Sequence, residues 1–456
     1  MVQKYGTDQV AYHPGVPIFN KIPSAPISTM KTKSRGAPGV DCYWYNGTEF
    51  GENLVHYEVL EATRTLVIEP RIKQLRSDRC SRMEFVLTPT STGKHTFGVT
   101  ACGATVLRVD EREILHHPGF IDVKVEYIMQ PGDFEVRAQI EMAAGREYHV
   151  VIDTVATTAP CPSSVFTMAP QAAQVGFYEN LLGASAFAEI EALASSHDAS
   201  VVFTANNREF ESESFDRSSM SLSALQNDLV STVAAASPKT VVVNQTGAPI
   251  SIPWLGKVEG VLQCWFAGQE VGNALAELLS GDTNPCGKLP VTFPERIEHS
   301  PSHGNFPTDA NLEVCYAEGL EMGYRARSCP SALFPFGHGL SYTTFEFMDF
   351  ALRGDGPCDV TITVSLRNTG RVVGQEVVQI YVDGVLKAFK KTSLAPGETQ
   401  KVKVSLDKYA FSRWDIESHA WVAGADGYEV SVSRDARTPE LTKTYQLRRG
   451  LTWRGL

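Results

Sequence analysis

The 456-residue sequence lacks any long uncharged apolar run, and it has fewer basic than acidic residues. No window approaches the roughly 18 apolar residues that a membrane-spanning helix needs. Lys and Arg total 41 against 52 Asp and Glu, which gives a formal net charge of −11 and a pI of about 5.5. Proteins that bind the nucleic-acid backbone need a positively charged surface, so we expect no nucleic acid among the partners. The missing apolar run likewise leads us to expect no membrane.

Closely spaced cysteine pairs and a secretory leader are missing as well. The nine cysteines are scattered without a Cys-x-x-Cys motif, so we expect free thiols and no bound metal. The first residues contain no apolar segment of the kind found in signal peptides. We therefore expect a cytoplasmic protein, or a secreted one if the natural N-terminus lies further upstream.

The remaining composition is that of an ordinary globular protein, with 43% hydrophobic residues and a mean hydropathy of −0.14. The patterns along the chain predict four regions. Residues 1–40 are proline-rich and predict an extended arm or linker, while residues 41–157 and 346–456 carry short alternating strands between turns, typical of antiparallel β-sandwiches. Residues 158–345 alternate apolar strands with helices, which indicates an α/β domain with a parallel sheet.

Within the α/β region, individual elements are predicted from composition and apolar spacing. The predicted helices cover residues 184–195, 221–236 and 269–279, the last ending at Gly281, and the predicted strands cover 201–203, 240–243 and 261–265.

An acidic loop at residues 206–220 is the strongest candidate for chemistry. It places four carboxylates within eight residues, flanked by two arginines, and these are Glu209, Glu211, Glu213, Asp216, Arg208 and Arg217. The loop follows a predicted strand, and ligands of α/β sheets bind beyond the carboxyl ends of strands. Mutual repulsion would raise the pKa of one carboxyl and suit it to act as a general acid. The alternative is a solvated acidic loop that caps the next helix, which the local sequence alone favours.

Other motifs give weaker signals. The segment Gly281–Leu289 has five residues between its glycines and a leucine after its lysine, so it does not match a phosphate-binding loop. We expect no nucleotide or other cofactor. Trp254, Trp265 and Trp414 are each either a sugar-stacking surface or part of a core, and their number alone favours the core.

Several motifs follow one another in a fixed order from residue 198 to residue 345. They include Glu211-Ser-Glu-Ser-Phe-Asp-Arg217, Gly268-Gln-Glu270, Gly287-Lys-Leu-Pro-Val-Thr-Phe-Pro294 and Leu333-Phe-Pro-Phe-Gly-His-Gly-Leu-Ser-Tyr342. This order resembles the C-terminal half of glycoside hydrolase family 3, the β-glucosidase family. Residues 356–446 resemble the fibronectin-type-III-like domain that follows in this family, and residues 41–157 resemble the protective-antigen-type β-sandwich that some members insert. The expected fold class is therefore multidomain α/β plus all-β, made of these two sandwiches and a partial α/β sandwich.

The resemblance also implies roles for the acidic loop. Glu213 occupies the position of the family's acid/base residue, with Glu211 as the second choice, and Asp216 and Arg217 are expected to shape the substrate site. Ser214 stands where the family usually has glycine. Family members begin with a barrel domain that supplies a nucleophilic aspartate. No residue of this sequence corresponds to that nucleophile, although a retaining glycosidase needs two carboxyls about 5–5.5 Å apart.

Three functions follow from this comparison. The first is a β-glucosidase-like protein repurposed for acid/base chemistry on a small molecule, of lyase, isomerase or cyclase type. The second is a non-catalytic carbohydrate-binding or interaction protein, and the third is a fragment of a retaining β-glucosidase. We expect a small-molecule or glycoside ligand. A partial α/β domain leaves a sheet edge and an apolar face uncovered, so we also expect a second copy or a partner chain to cover it.

Overall fold

Three separate hydrophobic cores organise the chain, and each belongs mainly to one region of the sequence. The structure is a computed structural model that describes residues 1–67, 72–119, 135–156, 171–179, 186–213, 217–306, 308–326 and 332–455. Within these ranges, no helix has both the length and the apolar character that crossing a bilayer requires. The multidomain α/β plus all-β fold class is confirmed.

The first unit is a β-sandwich of two antiparallel sheets. Its larger sheet has the order β3-β2-β5-β10-β7-β8, with β1 also paired to β5, and its smaller sheet has the order β4-β11-β6-β9. The strands are β1 Met30–Thr32, β2 Val40–Asn46, β3 Leu54–Leu60, β4 Arg64–Val67, β5 Arg79–Leu87, β6 Gly93–Ala101, β7 Gly103–Val109, β8 Arg112–His117, β9 Val136–Met142, β10 Tyr148–Ala156 and β11 Gln171–Tyr178. Alternate residues such as Phe85, Phe97 and Ile152 point inward and form the core.

Two of these strands lie outside the predicted range of 41–157. Strand β1 precedes it, and β11 follows it, pairing with both β4 and β6. The sequence of β11 is rich in alanine and glutamine and poor in β-branched residues, so it gives little strand signal. Its burial of Val175 and Phe177 in the first core explains why it forms a strand there nevertheless.

The proline-rich arm packs along the first two units. It contains the short helix α1, Val2–Tyr5, and a 3₁₀ turn at Ile27–Thr29. Val16 packs against the α/β core, and Ala25 lies in the core of the first sandwich. Between them the arm crosses β11 so closely that a Cβ on Gly176 would lie 2.0 Å from the carbonyl oxygen of Ile22. The arm is thus an ordered strap that links the two units.

The second unit is the predicted α/β region, and its parallel sheet is confirmed. The sheet has the order β12-β13-β14, formed by Ser200–Ala205, Thr240–Gln245 and Gly260–Gln263. The helices are α2 Ala186–Ser195, α3 Ala224–Ala236 and α4 Val271–Ser280, close to the predicted ranges. The side chain of Ser223 caps the start of α3, and Gly281 ends α4 in a left-handed conformation with φ of 76°.

Only one face of this sheet packs against α2 and α3. Val202 and Val242 join residues of both helices and the buried Trp254 in the third core. On the opposite face, the edge strand β12 presents Val201 and Phe203, which are 38% and 54% exposed. Val243 of the central strand pairs with Phe203 on this same face and is fully buried, so the exposed apolar surface is confined to the β12 edge. Parallel sheets are normally covered on both faces, so exposed apolar side chains at this edge are unusual.

The rest of the chain forms a small connecting sheet and a second antiparallel sandwich. The connection pairs β15 Phe293–Pro294 with β16 Ala332–Phe334, and 3₁₀ turns lie at Leu255–Lys257, Ile297–His299 and Gly323–Arg325. The sandwich has sheets β17-β18-β21 and β20-β19-β24-β25, with a smaller sheet β22-β23-β26 beside them. Its strands are β17 Phe345–Arg353, β18 Val360–Asn368, β19 Gly374–Val382, β20 Val385–Leu394, β21 Thr399–Leu406, β22 Arg413–Asp415, β23 Ala420–Ala423, β24 Gly427–Asp435, β25 Thr438–Gln446 and β26 Leu451–Trp453, with a 3₁₀ turn at Lys408–Phe411.

A buried carboxylate in β2 makes the stability of the first sandwich depend on pH. Burial acts to raise the pKa of Asp41, but hydrogen bonds from Ser34 and Tyr57 outweigh it and hold the pKa below the usual 3.8. A carboxyl with a depressed pKa stabilises the fold above its unfolded-state pKa, and this contribution is lost as the pH falls through the folded-state pKa.

We expect Asp41→Asn to lower the free energy of unfolding by about 1–3 kcal/mol at pH 7, because the charge-assisted hydrogen bonds are lost. The difference from wild type should shrink below pH 4. Urea titrations at pH 7 and in acid measure both effects. Asp359→Asn, at an exposed position, is the control and should change stability by less than about 0.5 kcal/mol. An equal loss in the two variants would contradict the assigned role of Asp41.

Candidate functional site

The acidic loop lies at the carboxyl end of the parallel sheet. It begins at Asn206, directly after β12, and the segments that follow β13 and β14 start at Thr246 and Cys264. The three segments meet at one edge, because parallel strands all end on the same side of a sheet. This is the place in the fold where α/β proteins bind ligands.

Polar side chains, two of them fully buried, fix the three strand ends to one another. Thr204, Asn244 and Gln263 are cross-strand neighbours on one face of the sheet. The Asn244 amide accepts a hydrogen bond from Thr204 Oγ1 at 2.9 Å and donates to Gln263 Oε1 at 2.7 Å and to Thr246 Oγ1 at 2.8 Å. Because each strand end is tied to the next, the loops that leave them start from fixed positions.

Glu211 is the anchor of the acidic loop. Its Oε1 accepts from Asn206 Nδ2 at 2.7 Å and from Arg217 Nη1 at 3.4 Å, and its Oε2 accepts from the Gly247 backbone N–H at 2.7 Å. The side chain is only 11% exposed. A carboxylate held by donors from three directions positions the loop against the segment after β13.

Arg217 closes this arrangement from the other end of the loop. It also donates to the Pro249 carbonyl at 3.4 Å. Burial lowers the pKa of Arg217, while the Glu211 carboxylate acts to raise it, and a guanidinium stays charged at any physiological pH. Glu211 and Arg217, both predicted site residues, are therefore brought together as a half-buried ion pair.

Glu209 points away from this pair and holds the N-terminal arm. Its carboxylate accepts from the backbone N–H groups of Asn20 at 2.6 Å and Lys21 at 3.0 Å. Two of the clustered carboxylates are thus separately satisfied by hydrogen-bond donors. Glu209 therefore binds the N-terminal arm, whereas Glu211 binds Asn206 and the segment after β13.

Glu213 differs from its neighbours because it is exposed to solvent. No described residue forms a hydrogen bond or an ion pair with its carboxylate in the structure. Asp216, the remaining predicted site residue, falls in residues 214–216, outside the described residues. The loop accordingly offers one exposed carboxylate beside a rigidly held one.

An aromatic side chain that sequence reasoning missed lies at the same edge. Phe266 is 60% exposed, and a Cβ placed on Gly247 would lie 2.7 Å from its ring. Its neighbour Trp265 turns the chain through a left-handed conformation with φ of 54°. The aromatic pair Trp265-Phe266, one residue after the half-buried strand β14, was the available sequence signal. The candidate sugar-stacking tryptophans differ in burial. Trp254 lies in the core and is 1% exposed, whereas Trp414 lies on the surface and is 48% exposed.

Other clusters do not contribute to this site. Over the described ranges, no group of three or more His, Cys, Asp or Glu residues is arranged to hold a metal ion, and the seven cysteines there are free thiols. A cavity of about 540 Å³ lies between residues 298–305 and 317–326, and it contains none of the acidic-loop residues.

Comparison with known sequences identifies the family. Residues 112–342, half of the chain, match the glycosyl hydrolase family 3 C-terminal domain. The chain belongs to glycoside hydrolase family 3. Residues 36–158 match the PA14 domain and residues 376–436 match the fibronectin type III-like domain, so the resemblance seen in the motifs is confirmed for all three regions.

The relatives of this family 3 chain are β-glucosidases. It is 30% identical to the probable β-glucosidase K of Emericella nidulans over 98% of this chain and 55% of that protein, and 34% identical to β-glucosidase B of the same fungus over 77% and 44%. The β-glucosidase of Kluyveromyces marxianus, solved in complex with glucose, superposes with a TM-score of 0.88 at 28% identity, over 100% of this chain and 56% of that one. The chain spans about half the length of the relatives it matches.

The contact between Glu211 and Gly247 gives a test of the anchor. A Cβ on Gly247 would lie 2.7 Å from Glu211 Oε2, so Gly247→Ala must displace a carboxylate that is already fixed by hydrogen bonds. We expect a loss of about 1–3 kcal/mol in the free energy of unfolding, since the Arg217 charge loses its partner. Gly256→Ala is the matched control, because nothing lies within 4 Å of its added Cβ. Thermal unfolding compares the two, and equal stability would contradict the anchoring role of Glu211.

Proposed function

We propose that this chain supplies the proton-transfer half of a β-glucoside-processing site, with Glu213 as the acid/base residue. The observation that carries the proposal is the exposure of Glu213 at the carboxyl edge of the sheet, two residues from the fixed carboxylate of Glu211. An exposed carboxyl at the end of a rigid anchor can meet a substrate without losing a structural contact. The β-glucosidase relatives give the substrate class.

In this role Glu213 donates its proton to the glycosidic oxygen as the leaving group departs. As a carboxylate it then removes a proton from the attacking water. Glu211 and Arg217 act as positioning residues, because their ion pair and the Gly247 contact hold the loop. Phe266 offers an exposed ring against which the apolar face of a sugar stacks. Asp216 is retained as a substrate-binding residue on the resemblance alone.

Retaining hydrolysis needs a second carboxyl as nucleophile, about 5–5.5 Å from the first. The other described carboxylates of the loop already accept structural hydrogen bonds. Glu209 accepts from the N-terminal arm, and Glu211 accepts from Asn206. We therefore propose that the nucleophile comes from a polypeptide segment that corresponds to the part of the relatives this chain does not match. That segment would cover Val201 and Phe203 on the open face of the sheet and so bring its carboxyl to the adjacent edge.

The same observations favour a second function if no such segment takes part. A single exposed carboxyl suffices for proton transfer in an isomerase, lyase or cyclase, because these reactions need no glycosyl-enzyme intermediate. An exposed Glu213 on the same edge of the sheet as the exposed Phe266 fits that chemistry on a small molecule. The two functions differ in whether a β-glucoside is hydrolysed.

The acid/base assignment predicts the activity of a Glu213→Gln variant. We expect the chain alone not to hydrolyse an aryl β-glucoside, and hydrolysis to appear when it is co-expressed with the amino-terminal part of a family 3 β-glucosidase. Glu213→Gln should then lower kcat by about 10²–10⁴-fold, the usual contribution of a general acid/base. Glu191→Gln, an exposed glutamate on α2, serves as the control. Rapid turnover by the isolated chain would contradict the need for a second segment, and full activity of Glu213→Gln would contradict its role.

The open sheet face makes a separate prediction about assembly. Phe203→Glu should abolish association with the complementing segment, since a charge would be buried in an apolar contact, while circular dichroism stays unchanged. Phe389→Glu places the same change at a 67% exposed phenylalanine of the second sandwich and should have no effect. Analytical ultracentrifugation of each variant gives the readout. A second copy on this face would appear as a dimer of the wild-type chain that Phe203→Glu dissociates.

A further inference from the structure

Three tryptophans form a row across the small sheet of the C-terminal unit. Trp414 pairs with Trp421 between β22 and β23, and Trp421 pairs with Trp453 between β23 and β26. Residues directly opposite on neighbouring strands point to the same face of a sheet. The three indoles, here called the tryptophan row, therefore share one face.

The rings of the tryptophan row contact one another in sequence. Trp421 and Trp453 are nearly parallel, with ring centroids 6.1 Å apart and an interplanar angle of 14°. Trp414 meets Trp421 at 74° with centroids 5.7 Å apart. The exposed ring of Trp414 thus lies at one end of the row, at a steep angle to the ring of Trp421.

Other side chains hold the inner part of the row in place. Tyr409 meets Trp421 and Trp453 edge-on, with centroids at 5.3 and 5.5 Å. Lys408 Nζ lies 4.8 Å from the centroid of Trp453, within range of a cation–π contact. Trp414 is consequently an exposed aromatic ring whose orientation is fixed in advance, and a ligand that stacks on it has little side-chain freedom to immobilise.

We propose that the tryptophan row is a carbohydrate-binding surface, with Trp414 stacking against a pyranose ring of a β-linked glucan or a related glycan. A pyranose presents an apolar C–H face to an aromatic ring and hydroxyl groups to its rim. The chain on either side of Trp414 exposes Arg413 and Glu417, which supply a donor and acceptors for such hydroxyls. This surface belongs to the second sandwich and uses none of the acidic-loop residues.

The exposed area favours a sugar over a protein partner. A whole aromatic side chain contributes about 150–250 Å² when fully buried. With Trp414 48% exposed and the other two indoles less so, the row offers far less than the roughly 800 Å² per partner of a standard protein interface. One or two sugar units match an area of this size.

Titrations of the whole chain with cello-oligosaccharides, followed by tryptophan fluorescence, test the proposal, together with native gels cast with soluble β-glucan. We expect wild type to bind and to be retarded in the gel, and Trp414→Ala to bind about tenfold more weakly, while Trp414→Phe retains part of the affinity. Phe389→Ala is the matched control, because it removes an exposed ring from another sheet of the same unit. Glu191→Gln, at an exposed position on α2, should bind like wild type. The tryptophan row shares no residue with the acidic loop, so the effect of Trp414→Ala does not depend on the catalytic proposal.

Two results would overturn the proposal. One is the absence of any retardation or fluorescence change with the wild-type chain at millimolar oligosaccharide. The other is equal binding by wild type and Trp414→Ala, with circular dichroism confirming that both are folded. If the first result is found together with a concentration-dependent dimer that Trp414→Ala abolishes, the row is assigned to self-association.

Discussion

A parallel sheet has to bury two faces, and this constraint governs the α/β unit. Helices α2 and α3 cover one face with Val202 and Val242 at its centre, whereas Val201 and Phe203 stay exposed on the other. The N-terminal arm adds Val16 to the covered side. The same sheet carries the candidate site at its carboxyl edge.

Polar contacts at that edge compensate for the small size of the sheet. Three strands give few backbone hydrogen bonds, but the Asn244 amide joins all three strand ends through Thr204 and Gln263. Separately, Glu211 joins the acidic loop to the backbone of Gly247, the residue after Thr246 of this network. Buried polar groups are stabilising only when every partner is present, so the network also demands one conformation of the loop. A precisely placed carboxyl requires such a support.

The sequence could predict the elements of the fold far better than the state of the site. The helices of the α/β unit and its parallel order follow from apolar spacing, from the Ser223 cap and from Gly281, all of which are local signals. Strand β11 was missed because its partners β4 and β6 lie far away in the chain, and its own residues have weak strand preference. The position of the acidic loop after β12 was predictable, but four neighbouring carboxylates do not reveal which of them accept hydrogen bonds from other parts of the chain. The donors to Glu209 come from Asn20 and Lys21, 188 and more residues away.

Exposed aromatic rings at three places illustrate why exposure alone does not assign a function. Phe203 sits in a strand beside the apolar Val201, so its surroundings favour another apolar surface. Phe266 lies against Gly247 and close to the Glu211 carboxylate, where a ligand with both apolar and polar atoms is matched. Trp414 is supported by Trp421 and so keeps one orientation. The neighbours of each ring, rather than its own hydrophobicity, are the basis for the three different ligands proposed: a protein segment, a small-molecule substrate and a glycan. The family's carbohydrate chemistry bears on the last two, whereas the first follows from the geometry of a parallel sheet.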